Sequence, residues 1–295
     1  MLPYLLMFSS ILVHYFEGAS MKIYNRKHTK GGFMFISIVS FFSALFFLLK
    51  YLFLDSNKAD FTTLVIPYGI IGGIMYAASS VLVFYAIQVG SLAVTQVILG
   101  YATIVSTLFG IIVLKEKTNF LTYVGILIFI VAIFLLKKPS EKGENAKKAT
   151  LAWFLLALFG MLASSGYGIA SKLQQIRFKN TVDNEFAMIA IGFSFLANFV
   201  LSIIIEKKHA FYVLKTCLPY ASVAGISNGL TNAIVFIYNP MIEYSIAVPT
   251  KSLMGKTFHF VMGKYILKEQ YSKAQIIGLV LVCIAVILMN LVKFI

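Results

Sequence analysis

The chain has 295 residues, of which 60% are hydrophobic and only 12% charged, and it carries a formal charge of +14. An ordinary soluble domain has about 25% charged residues, and a globule of this size could not cover so much apolar surface with so few polar groups. These figures exclude a disordered chain, a disulfide scaffold and a typical soluble enzyme, and leave an integral membrane protein.

Ten apolar stretches follow in chain order, near 2–24, 32–54, 64–87, 91–113, 119–137, 150–173, 184–205, 217–238, 242–265 and 272–293. Each approaches the ~20 residues that a helix needs to cross a bilayer core. The expected fold is therefore all-α and membrane-embedded, with ten transmembrane helices. Residues 1–16 lack a basic segment, and Glu17 sits where a cleavable leader should be small and neutral, so the first stretch reads as a transmembrane helix. Cys217 and Cys283 lie in separate apolar runs without metal-type spacing and read as buried and inert.

The connector Lys137 to Ala149, KKPSEKGENAKKA, is the most polar segment and falls close to the midpoint. It divides the chain into a first five-helix repeat at 1–137, a linker at 138–149 and a second repeat at 150–295. The two parts echo one another. Leu114-Lys115-Glu116 matches Leu267-Lys268-Glu269 at an offset of 153, which Gly125/Gly278, Ala132/Ala285 and Leu135/Leu288 share. Gly18/Gly168 and Lys22/Lys172 match at an offset of 150. Repeats with an odd number of helices must cross the membrane in opposite senses. Such inverted repeats are built into many secondary transporters, with the site near the midplane where they meet.

With these features the sequence resembles the drug/metabolite transporter superfamily, EamA type. The resemblance spans the chain and is clearest from Ser91 to Leu136, and Met262 to Ser272 is similar to the equivalent part of nucleotide-sugar and triose-phosphate transporters. It implies a carrier with a central cavity that works by alternating access. It also implies cytoplasmic termini. The charge count points the other way. Fifteen Lys and Arg cluster around the loops after the odd-numbered spans and eight around the even-numbered loops and the termini, so the positive-inside rule favours termini outside.

Candidate site residues are the polar groups within spans. His14 and Glu17 lie ~60° apart on one helix face. An ionisable residue in a span is costly and is a functional candidate by default. Glu17 could bind a cationic group or accept a coupling proton, with His14 tuning it; the alternative is a residue that snorkels or pairs with Lys22. In the ninth span, VPTKSLMGKTFH, Pro249 can break the helix, and Lys251 beside it is the preferred cationic candidate over Lys256. Tyr76 and Ser80, Gln96 and Tyr101, Tyr167 and Lys172, and Asn228 and Asn232 supply further polar groups, each of which could equally serve as interhelical glue. Lys115, Glu116, Lys268 and Glu269 are expected to anchor turns and pair locally.

No GxSxG, HExxH, Walker loop or paired-carboxylate cluster is present, so neither an enzyme nor a cofactor or metal is expected. The surplus charge is better explained by helix anchors than by nucleic acid. The sequence thus predicts a gradient-driven transporter in a cell membrane, multi-pass and bacterial, moving a small charged metabolite (amino-acid-like, organic anion or organic cation), either coupled to a proton or by exchange. The competing reading is a non-transporting receptor or assembly partner.

Overall fold

The computed structural model describes residues 2–28, 30–53, 65–113, 115, 120–136, 144–179, 182–207, 210–238 and 244–291. These residues are helical, with no strand among them: α1 Leu2–Lys27, α2 Gly32–Phe53, α3 Val65–Val89, α4 Leu92–Leu99, α5 Ala102–Ile112, α6 Phe120–Leu136, α7 Glu144–Phe178, α8 Asp183–Leu201, α9 Ala210–Tyr238, α10 Tyr244–Tyr265 and α11 Lys273–Leu291. A π-helical turn, Ser202–Glu206, continues α8. Long apolar runs favour helix in a bilayer because only intrahelical bonds can satisfy the backbone there.

By length and apolar composition, four segments suit a membrane crossing: Gly32–Phe53, Val65–Val89, Leu151–Phe178 and Asp183–Glu206. α1, α9 and α10 are 26, 29 and 22 residues long but more polar. Large apolar side chains such as Phe41, Leu48, Ile71, Leu196 and Ile277 stand exposed on the outer helix faces. Lipid tails, not water, are the solvent that tolerates such a surface.

Two expectations need correction. The fourth span is two helices, because the chain tightens at Gly100 and Tyr101: Tyr101 N–H donates to Ile98 O at 2.9 Å, a three-residue step in place of four. α10, by contrast, runs through Pro249 unbroken. Within the polar linker at 138–149, α7 begins at Glu144.

Helix packing is pairwise and extensive between α3 and α7, α1 and α9, α2 and α9, α3 and α8, α2 and α8, and α6 and α11. One apolar core joins α1, α2, α3 and α9 around Tyr24, Phe35, Phe84 and Cys217. A second joins α4 to α7 and α11 around Val97, Ile98, Trp153 and Val282. Small residues bring the backbones together. A Cβ on Gly225 would stand 2.6 Å from Val39 O and 2.8 Å from Phe42 Cβ, so only glycine lets α9 lie this close to α2.

Helix ends are tied by charges. The four non-glycine residues with positive φ among those described are all lysines at helix C-terminal ends: Lys115 (54°), Lys179 (52°), Lys207 (50°) and Lys268 (54°). A positive φ just past a helix turns the chain away from the helix axis, which is the turn role expected for Lys115 and Lys268. Glu206 Oε1 accepts from Phe33 N–H at 3.1 Å and caps α2. Lys22 Nζ donates to Ile87 O and to Gly90 O at the end of α3, and Arg26 Nη2 to Leu267 O after α10.

Candidate functional site

α9 carries two asparagines one turn apart on the face that meets α1, α2 and α3. Asn228 is the hub. Its Nδ2 donates to Glu17 Oε2 at 3.1 Å. Its Oδ1 accepts from Ser43 Oγ at 2.7 Å, Asn232 Nδ2 at 3.2 Å and Tyr76 hydroxyl at 3.3 Å. Asn232 Nδ2 also donates to Asn228 O at 2.9 Å, which fixes its rotamer. Glu17 Oε2 takes a second contact, 3.1 Å from His14 Nδ1. Four helices thus converge on one carboxylate and one amide. The Glu17 side chain keeps 13% of its surface and that of His14 39%.

Aromatic rings extend the cluster. The Tyr76 ring lies 5.3 Å from that of Tyr167 on α7, and Tyr167 stacks on Phe186 of α8 at 5.7 Å. Ser80, one turn from Tyr76, lies in reach of its hydroxyl. On the other side His14 packs edge-on to His259 of α10 at 5.5 Å. His259 Nδ1 faces Gly255 O at 2.7 Å, while Nε2 is buried without a partner. The ensemble is a carboxylate, two amides, hydroxyls and imidazoles flanked by ring faces. It can exchange hydrogen bonds with a polar solute and offer a flat apolar wall beside it.

Of the residues read from sequence, the fold brings together His14, Glu17, Tyr76, Ser80, Tyr167, Asn228 and Asn232. Gln96 on α4 lies beside α1, with its Nε2 3.6 Å from where a Cβ on Gly18 would stand. Tyr101 is instead buried in the second apolar core, and Lys172 is exposed on α7. The backbone of Lys251 belongs to α10, but its side chain lies outside the described residues, as does that of Lys256. Sequence reading missed Ser43, Phe186 and His259. Ser43 had a signal: Ser37, Ser40 and Ser43 repeat every three residues in an otherwise apolar helix.

Residues 1–137, which supply Glu17, His14, Ser43 and Tyr76, match the EamA-like transporter family. The similarity to named relatives covers more of the chain. A "Probable glucose uptake protein GlcU" of Bacillus cereus is 27% identical over 280 residues, covering 92% of this chain and 92% of its own length. The protein of the same name from Priestia megaterium is 26% identical over 248 residues, covering 79% and 82%. A solved crystal structure superposes with a TM-score of 0.59 at 15% identity, across 99% of this chain and 96% of its own, and so shares the fold. The EamA match and these relatives make the chain a multi-pass membrane transporter rather than an enzyme.

Proposed function

We propose that this chain is a secondary active transporter that carries a small polyhydroxylated solute of the hexose type past the Glu17–Asn228 cluster by alternating access. The observation that carries this reading is the hub itself. Its donors and acceptors are mixed, and its one carboxylate already takes contacts from Asn228 and His14. Such a group suits hydroxyls, which both donate and accept, better than a lone cation, and the Tyr76, Tyr167 and Phe186 rings suit the apolar face of a sugar. The names of the Bacillus cereus and Priestia megaterium relatives agree with that class. The charged metabolite expected from sequence rested partly on Lys251 and is the weaker candidate.

Two features support ten crossings in two inverted five-helix repeats, 1–137 and 150–295. Exchanging each helix of the first repeat for its sequence counterpart turns the α3–α7 pair into α9–α1 and the α2–α9 pair into α8–α3, while α2–α8 and α6–α11 map onto themselves. Lys115 and Lys268, 153 residues apart, share a positive φ of 54°. A site lined from both repeats can then open to either side in turn. Glu17 and His14 are the groups that offer a place for a coupling proton, and bacterial plasma membrane is the setting that the relatives suggest.

The test is uptake into proteoliposomes. Labelled glucose should exchange against internal glucose, more slowly with a Glu17→Gln variant, and an imposed proton gradient should drive accumulation. Exchange of an amino acid or organic cation in place of glucose would move the assignment to charged solutes. No exchange of any solute by folded protein would favour the receptor reading.

A further inference from the structure

Glu269 pairs locally with Tyr271, as expected, but its carboxylate also reaches much further. The turn after α10 reaches 178 residues back along the sequence, where the Glu269 carboxylate accepts from Ser91 Oγ at 2.7 Å, Leu92 N–H at 2.7 Å and Ala93 N–H at 3.3 Å. Tyr271 hydroxyl donates to the same carboxylate at 2.9 Å, and Ser91 Oγ accepts from Val94 N–H at 3.3 Å. The first turn of α4 is therefore capped by a charge from the other half of the chain. Gly263 makes room for it, since a Cβ there would stand 2.9 Å from Glu269 Oε2 and 3.0 Å from Ala93 Cβ.

The same end of the molecule is held by other polar bonds between helix ends. Lys22 on α1 ties to Ile87 O and Gly90 O, and Arg26 ties to Leu267 O. Behind the capped turn, Leu92 Cδ1 lies 2.8 Å from where a Cβ on Gly18 would stand, one residue from Glu17. Trp153 Nε1 on α7 donates to Thr95 Oγ1 at 2.7 Å and steadies the outer flank of α4. At its far end α4 meets the tightened turn at Gly100 and Tyr101. A short three-residue step within a helical run is a common place for bending.

We propose that the contact between the α3–α4 turn and the α10–α11 turn is a gate of the transport path, and that Glu269 is its latch. Polar bonds between helix ends can break and reform in contact with water, whereas a packed apolar seam resists parting. When Glu269 releases Ser91, Leu92 and Ala93, the wall beside Gly18 and Glu17 is uncovered on that side. This role rests on the transporter reading, but its test does not need the substrate.

Cys217 and Cys283 are replaced by alanine, and Leu92→Cys, 1% exposed, becomes the reporter. A membrane-impermeant maleimide is applied to vesicles of each orientation. Glu269→Ala should speed labelling by about tenfold or more from one side only, as expected for loss of several bonds to a charge, with Glu269→Gln in between and thermal midpoints close to that of the parent. As a second measurement, Ser91→Cys and Glu269→Cys are bridged with a short, reducible bis-thiol reagent. The bridge should stop solute exchange, and a reductant should restore it. Unchanged labelling of folded Glu269→Ala, labelling equal from both sides with a lowered thermal midpoint, or full exchange by the bridged pair would each overturn the proposal and leave Glu269 a helix cap. Failure of glucose exchange together with one-sided labelling would fault the substrate and spare the gate.

Discussion

The bond between Asn228 Nδ2 and Glu17 Oε2, 3.1 Å long, joins the two halves of the chain at the hub. Its contribution can be isolated by a double-mutant cycle with Glu17→Gln and Asn228→Ala. A hydrogen bond to a charged group contributes about 1.5–3 kcal/mol, while neutral interhelical bonds in membranes average ~0.6 kcal/mol. Asn228→Ala also strands Ser43 Oγ and the Tyr76 hydroxyl, which lose the acceptor at 2.7 and 3.3 Å. The single variant should therefore lose about 3 kcal/mol of binding free energy, roughly a hundredfold in apparent glucose affinity at about 1.4 kcal/mol per tenfold. Glu17→Gln should lose roughly tenfold. The double variant should be little worse than Asn228→Ala alone, leaving a coupling of about 1–2 kcal/mol. Equilibrium exchange in proteoliposomes measures all four proteins. Losses that add within ~0.5 kcal/mol would refute the claim that the two side chains act as one unit, and unchanged affinity in all four would remove the hub from the site.

Other consequences can be checked separately. Tyr167→Leu should weaken solute binding with little change in folding, and Tyr167→Phe should keep most of it, because the ring against Tyr76 and Phe186 is what matters; competition binding distinguishes them. Gly225→Ala should lower the thermal midpoint, since the new methyl meets the backbone oxygen of Val39 and not a yielding side chain, at about 1–3 kcal/mol for overpacking; an unchanged midpoint would mean α2 and α9 separate easily. Burial, and then the charge of Glu269, pushes the Tyr271 hydroxyl above its usual range. Its stabilising share is full below the unfolded phenol value of ~10 and is lost as pH rises beyond it. Melting curves should be flat from about pH 7 to 9 and fall above ~10, and Tyr271→Phe should shrink that fall.

How far the sequence foretold this arrangement varies by element. The apolar runs located several helices to within a few residues, because in lipid a hydrophobic stretch of sufficient length has one structural outcome, although α7 and α9 begin at Glu144 and Ala210, well before the expected 150 and 217. α3, for example, was expected at 64–87 and is Val65–Val89. The breaks were less legible. Pro249 suggested an interruption but sits where α10 continues, whereas Gly100-Tyr101, with no proline, ends α4. Spacing on one helix correctly paired His14 with Glu17 and Asn228 with Asn232, since helical geometry alone determines those neighbours. It could not reveal which helices face each other. Ser43 meeting Asn228, or Glu269 reaching Ser91, depends on the packing of segments far apart in sequence. Tyr101 shows the converse: a polar residue next to an apolar core looks the same in sequence as one lining a path.

The most direct measurement is isothermal titration of purified protein with glucose, beside an amino acid and an organic cation of similar size. The account predicts saturable glucose binding that weakens about tenfold in Glu17→Gln and about a hundredfold in Asn228→Ala, with the two charged solutes silent. Glucose binding that is undiminished in both variants, or saturable binding of a charged solute in its place, would contradict it.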